Sequence, residues 1–397
     1  MQAKPTPFLL PIIVFSQFAG TSLWFAGNAI LNEIQKENTS AAIANLTSLV
    51  QFGFITGTLV FAVLTIADRF KPSVVFFISS CIAALANALI IIFSKDIVLV
   101  SALRFITGFF LAGIYPVGMK IAADWFPRNL GNALGFLVGA LVLGTAFPYL
   151  LKSQLYALPW KDVLLFTSLL AFLGGLILLL TIPSKTSVTK NGFEPKAFLL
   201  VFRSANFRSA AFGYFGHMWE LYTFWAFIPV LLQRYNQQQT QNINIYSWSF
   251  LIIAAGCIGC IIGGIISQKT GSKKVAFISL AISGLCCVLA PFAFGFTTVL
   301  FLFFLLVWGT AVVSDSPQFS SLVAQSAMQQ YKGTALTIVT SIGFAITIVS
   351  IQLMQMIFQK ANEALWILVV GPLLGLIALN KWEKSLPAKN RQSTIIE

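Results

Sequence analysis

Long apolar runs separated by short polar gaps organise the whole chain. A hydrocarbon core of ~30 Å takes ~20 helical residues to cross, and twelve runs reach that length, at about 8–31, 42–67, 73–94, 97–122, 132–151, 162–182, 208–233, 246–267, 274–296, 298–323, 334–358 and 363–382. They are called spans 1 to 12. None shows the strict alternation of a barrel strand, so the expected fold class is an all-α membrane protein. The first run is too long for a signal-peptide core and no small-residue cleavage site follows it, so it reads as a retained span.

Composition agrees with the pattern. Hydrophobic residues make up 57% and charged residues 9%, and the mean hydropathy is +0.86. Soluble domains carry ~25% charge, so a soluble enzyme, a disordered scaffold and a disulfide-stapled secreted domain are excluded. The net charge of +13 does not indicate nucleic acid, because the basic residues sit in the gaps between runs. With the N-terminus inside, 17 Lys and Arg fall on the inner side and six on the outer. That bias places both termini in the cytoplasm and the chain in a cell (inner) membrane. The basic connection after span 6 divides the chain. Residues 1–183 form one six-helix bundle, 184–207 a cytoplasmic linker, 208–382 a second bundle and 383–397 a cytoplasmic tail.

Small residues mark helix packing. Gly53 and Gly57, Gly135 and Gly139, Gly259 and Gly263, and Gly371 and Gly375 are each four apart, a spacing that lets helix backbones approach closely in lipid. Cys257 and Cys260 read C-x-x-C but fall inside span 8, where cysteine packs as a small hydrophobe.

The two halves repeat. The gap after span 2 reads Leu64-Thr-Ile-Ala-Asp68-Arg69-Phe-Lys71-Pro72, and the gap after span 8 reads Gly264-Ile-Ile-Ser-Gln268-Lys269-Thr-Gly271-Ser-Lys273-Lys274. Both are short and basic at the same place within a six-span half, as expected of a parallel repeat. Span 4 carries Arg104-x-x-x-Gly108-x-x-x-Ala112. With twelve spans, a 6+6 division and both termini inside, the chain resembles the major facilitator superfamily. Its loop signature G-x-L-A-D-R-x-G-R-R persists as Ala67, Asp68 and Arg69, with Leu64 in place of the leading glycine and Gln268 in place of the second acid. By that resemblance, Asp68 and Arg69 form a cytoplasmic gate. The G-x-x-x-G-P-x-x-G-G pattern of drug/proton antiporters is absent from span 5. That speaks against a drug exporter and leaves the direction of transport open.

A charge at the bilayer centre costs ~2.5–3.5 kcal/mol on the insertion scale, so such residues mark function or a hydrated interior. Away from helix ends, span 4 holds Arg104, span 7 holds His217 and Glu220, and span 10 holds Asp315. The resemblance implies that spans 1, 4, 7 and 10 line a central cavity, and every deep charge falls on that set. At 100° per residue, Arg104, Gly108, Leu111 and Tyr115 share a stripe of span 4, while Trp308, Asp315 and Phe319 share one of span 10. Pro317 is expected to weaken span 10 and Pro229 to bend span 7. Span 1 has no charge, yet Gln17, Thr21, Trp24 and Asn28 recur on one face.

Burial disfavours a charged carboxylate and histidine titrates near neutrality. The expectation is that Glu220, assisted by His217, is the coupling proton site. Arg104 would bind an anionic group or compensate Glu220 or Asp315, all meeting in one hydrated vestibule. Gln17, Trp24, Asn28, Tyr115 and Trp308 would complete a site for a small organic solute with polar ends. The alternatives left open are a ligand-binding sensor and a proton-driven exporter of amphipathic compounds. An enzyme is not expected: there is one histidine, no nucleophile elbow, no zinc-binding helix and no phosphate loop. No cofactor is expected, and no acidic cluster marks a metal site. The expected partners are the solute, protons and the lipid bilayer around a monomer.

Overall fold

The structure is a computed structural model that describes residues 8–30, 43–126, 130–153, 155–182, 200–328, 332–358 and 361–382. Most of the expected linker and the tail after residue 382 lie outside these.

Helices occupy all twelve expected positions. Span 1 is Leu9–Thr21 followed by Ala26–Ala29, span 2 is Ile43–Val63, span 3 is Pro72–Phe93, and span 4 is Ile97–Leu111 followed by Tyr115–Trp125. Span 5 is Leu130–Lys152, span 6 is Trp160–Thr181, span 7 is Ala205–Gln239 and span 8 is Ile245–Thr270. Span 9 is Ser272–Ala293, span 10 is Thr298–Ser314 followed by Ser316–Ser326, span 11 is Lys332–Ile357, and span 12 runs from a 3-10 segment Asn362–Val369 into the α-helix Val370–Asn380. No strand occurs among the described residues. Ten helices are long and apolar enough to cross a membrane by length and composition. Spans 1 and 7 are the other two. Span 1 is interrupted at Ser22–Phe25, and span 7 carries His217, Glu220 and several Tyr and Trp that lower its hydropathy.

Local chemistry sets several ends. Span 4 starts at Asp96, whose carboxylate accepts from Val98 N and Leu99 N at 2.9 and 3.1 Å, satisfying first-turn donors that would otherwise be orphaned. Ser204 caps span 7 by accepting from Phe207 N at 3.3 Å, so this helix begins about one turn before its apolar run. Span 2 ends where Thr65 turns left-handed (φ 51°), and Asp68 and Arg69 follow in the short helix Ile66–Arg69.

Spans 4 and 10 break at matching places. Each resumes as an eleven-residue helix with proline at its second position, Pro116 in Tyr115–Trp125 and Pro317 in Ser316–Ser326. Proline has no N–H to give the preceding turn and suits the first turn of a helix, where that donor has no partner, so each helix restarts at its proline. The break at Pro317 follows from the sequence expectation. The one at Ala112–Ile114 cuts the expected Arg104–Tyr115 stripe. Pro229, by contrast, lies within the continuous helix of span 7.

The spaced glycines pack as expected. A Cβ on Gly53 or Gly57 would strike the backbone of Phe105 or Phe109 in span 4, and one on Gly108 would strike Val50 in span 2. Gly135 faces Cys260 and Gly264 across spans 5 and 8, Gly259 and Gly263 face span 10, and Gly371 and Gly375 face span 7. Cys257 and Cys260 are free thiols in this packing.

Spans 5 and 8, and spans 2 and 11, bring the first six spans against the last six. The second seam is closed near both ends. Thr58 and Ser341 hydroxyls lie 3.3 Å apart at one end, and Gln352 donates to Ser48 at 3.0 Å at the other.

Overpacking a tight seam costs ~1–3 kcal/mol. Gly108→Leu is expected to lower the melting temperature in detergent by several degrees. Gly131→Ala, where nothing lies within 4 Å of an added Cβ, is expected to leave it unchanged. Equal melting curves for both variants would contradict the packing described.

Candidate functional site

The deep charged residues do not share one vestibule. They form three separate buried groupings. Arg104 is fully buried and reaches into the interruption of span 1. Its Nη2 donates to Trp24 O at 2.6 Å and its Nη1 to Leu23 O at 3.2 Å, with Asn87 Oδ1 of span 3 at 3.5 Å. Non-helical backbone in a membrane interior needs such partners, because no water reaches it. The planar guanidinium can serve two carbonyls at once. Gly27 lies against the same group: a Cβ there would sit 2.9 Å from Arg104 Nε.

Glu220 forms the second grouping. It is fully buried and accepts from Trp308 Nε1 at 2.6 Å and from Ser283 Oγ at 3.0 Å. His217 and Asp315 form the third. His217 Nδ1 lies 2.9 Å from Asp315 Oδ1, with side-chain exposures of 1% and 0%. The distance is that of an ion pair, but the angles miss hydrogen-bond geometry, and His217 Nε2 and Asp315 Oδ2 have no hydrogen-bond partner among the described residues. Phe319 lies beside His217, ring centres 5.8 Å apart.

Two expectations are corrected here. His217 lies against Asp315, and Glu220 is held instead by Trp308 and Ser283. Arg104 compensates neither acid, because it is held by span 1 and span 3 within the first six spans. The predicted stripe Trp308, Asp315, Phe319 is real, but it faces span 7 inside the second six spans. Trp308 meets Glu220, while Asp315 and Phe319 meet His217.

The contact across the centre is aromatic. Trp24 stacks on Phe344 of span 11 at 5.6 Å and 24°, and lies 5.7 Å from Tyr222 of span 7 and 4.9 Å from Phe54. Phe25 lies edge-on to Trp225 at 6.3 Å, and Tyr115 edge-on to Trp24 at 6.5 Å. All of these rings are buried. The interruption of span 1 turns Trp24 and Phe25 towards span 7, so the Arg104 clamp also positions this aromatic contact.

Of the remaining expected site residues, Gln17 is buried against Gly118 of span 4, with no hydrogen-bond partner for its amide among the described residues. Asn28 donates to Thr47 Oγ1 of span 2 at 2.8 Å. Arg69 is exposed, and the Asp68 side chain lies outside the described residues. Sequence reasoning missed Asn87, Ser283, Gln51, Phe54 and Phe344. Gln51 and Asn87 did leave a signal, since each is an amide inside an otherwise apolar span. Phe54 and Phe344 left none among 38 phenylalanines.

A helical bundle with charges buried where lipid would expel them, and with two sets of six spans meeting through aromatic side chains and closely approaching glycine backbone, has the architecture of a polytopic membrane carrier. The family model described as Major Facilitator Superfamily matches residues 9–351. The chain belongs to this superfamily, and it is an all-α, multi-pass membrane transporter. No curated protein matches it.

Arg104→Leu leaves the Leu23 and Trp24 carbonyls without a donor, at ~1–3 kcal/mol for each buried group. A melting temperature reduced by ten degrees or so is expected in the absence of any solute. Arg104→Lys, lacking the fork, should recover only part of it. A wild-type melting curve for Arg104→Leu would show that the clamp is not structural.

Proposed function

We propose that the protein is a secondary transporter that moves a small organic solute by alternating access, coupled to protons, in the cell (inner) membrane with both termini cytoplasmic. The observation that carries this reading is the buried His217–Asp315 pair beside the break of span 10. With one proton between them the pair has no net charge, whether as imidazolium and carboxylate or as imidazole and acid. Adding or removing a proton leaves a net charge, which is costly in a dry interior. The closed conformation then accepts one protonation state, and opening towards water admits the others. Glu220, one turn away on span 7 and held by Trp308 and Ser283, is a second candidate for the coupling proton.

In this reading residues 1–183 and 208–382 rock against each other as two bundles joined by the linker, and the Asp68-Arg69 loop acts as the cytoplasmic gate. The protein works as a monomer, without cofactor, metal or enzymatic step. The positive-inside bias of its loops supports the orientation.

The test is reconstitution in liposomes containing a pH-sensitive dye, with solutes added by chemical class. Wild type should show proton entry driven by one class and counterflow of the same labelled solute. Asp315→Asn should abolish the proton movement and keep counterflow. Counterflow without proton movement in wild type would remove the coupling. A solute that raises the melting temperature yet never exchanges would replace transport with sensing.

A further inference from the structure

The aromatic contact at the centre carries more than packing. Beside it lie buried side-chain atoms that find no hydrogen-bond partner among the described residues: Trp24 Nε1, Trp225 Nε1, Asn28 Oδ1 and both amide atoms of Gln51. Buried polar groups are normally satisfied, and each that is not needs an explanation.

These atoms belong to one neighbourhood. Asn28 is tied to Thr47 of span 2. Gln51 lies one turn further along that helix and one turn before Phe54, on the same face. The Phe54 ring lies 4.9 Å from Trp24. Trp225 lies one turn from Tyr222, with ring centres 5.2 Å apart, and it meets Phe25 from the opposite side of the seam. The unpartnered groups therefore flank the rings contributed by spans 1, 7 and 11.

The chemistry of this set is specific. It contains indole donors and amide donors and acceptors, and of the neighbouring Arg104 guanidinium only Nε lacks a hydrogen-bond partner among the described residues. Arg104 is taken up by carbonyls, Glu220 by Trp308 and Ser283, and Asp315 lies against His217. Trp24 and Tyr222 come from opposite sets of spans and lie at 33° to each other. When the two sets separate, these faces become the walls of a slot.

We infer that the transported solute is a flat ring without net charge, carrying hydrogen-bond donors and acceptors on its edge, which enters between Trp24 and Tyr222. This rests on the transporter reading. The ring faces replace the stacking that the closed walls give each other. The solute edge satisfies Gln51, Asn28 and the two indoles. A site with buried polar groups of this kind discriminates strongly against analogues that lack the matching edge.

The experiment uses the full chain in nanodiscs, with thermal melting titrated against uracil and hypoxanthine as neutral rings, benzoate as an anion and tetraphenylphosphonium as a cation. The neutral rings should stabilise the protein saturably and more tightly than the two ions. Gln51→Leu should weaken that binding about tenfold, which is roughly 1.4 kcal/mol. Its ligand-free melting temperature should be unchanged or raised, because an unpartnered buried amide has been removed. A purely structural Gln51 would instead lower that temperature. Trp24→Phe keeps the ring and removes the donor, and should weaken binding similarly. The inference is overturned if neither neutral ring binds, if either ion binds more tightly, or if both variants bind as wild type. If an ion binds and exchanges in counterflow, the solute class fails and the transporter reading stands. If hypoxanthine binds through these residues but nothing exchanges, the transporter reading fails and the binding class stands.

Discussion

The Arg104 guanidinium resting on the carbonyls of Leu23 and Trp24 is the contact on which the centre of the molecule depends. A helix crossing lipid satisfies its own backbone. Span 1 does not, because it breaks at Ser22–Phe25. Without a fixed donor this stretch would either return to helix or draw water inwards. Arg104 supplies the donor from span 4, and the break turns Trp24 and Phe25 towards span 7. The positive charge is thereby spent on the protein's own backbone. A deep arginine need not be a substrate ligand to occupy a carrier interior.

The distribution of the other charges has a mechanical consequence. Arg104 bonds within the first six spans, while Glu220, His217 and Asp315 bond within the last six. Aromatic rings, stacked, tilted and edge-on, meet between them. Aromatic contacts contribute ~0.5–1.5 kcal/mol beyond area burial, whereas leaving one partner of a buried ion pair alone costs ~3–5 kcal/mol. In the proposed alternating-access cycle the two bodies separate and rejoin, and rings at the centre suit that better than ions. The glycine seams serve the same end. They allow backbones to approach closely along spans 5 and 8 through shape, without strong directional bonds.

Much of the fold was legible because lipid imposes one simple rule on sequence. Twelve apolar runs became helices, the glycine spacings became close contacts, and Pro317 became a break. The break at Pro116 was equally available in the sequence. It was overlooked because the stripe from Arg104 to Tyr115 assumed an uninterrupted helix. Span 1 was harder, since Ser22-Leu-Trp-Phe25 contains neither proline nor glycine, and its departure from helix depends on a residue some eighty positions away.

The site was legible in its membership and not in its pairing. Charge in an apolar run is visible in one dimension, so Arg104, His217, Glu220 and Asp315 stood out, and helical periodicity correctly grouped Trp308, Asp315 and Phe319. Which partner each would meet depends on how helices are rotated and set against one another. That rotation is decided by the packing of side chains on every neighbouring helix, and by nothing local. So the sequence by itself determined the helices, their order and the list of buried ionisable groups, because desolvation acts on each residue separately. Only the tertiary structure decided that Arg104 serves span 1, that His217 belongs to Asp315 and that the centre is closed by rings, because those outcomes depend on the joint geometry of helices far apart in the chain.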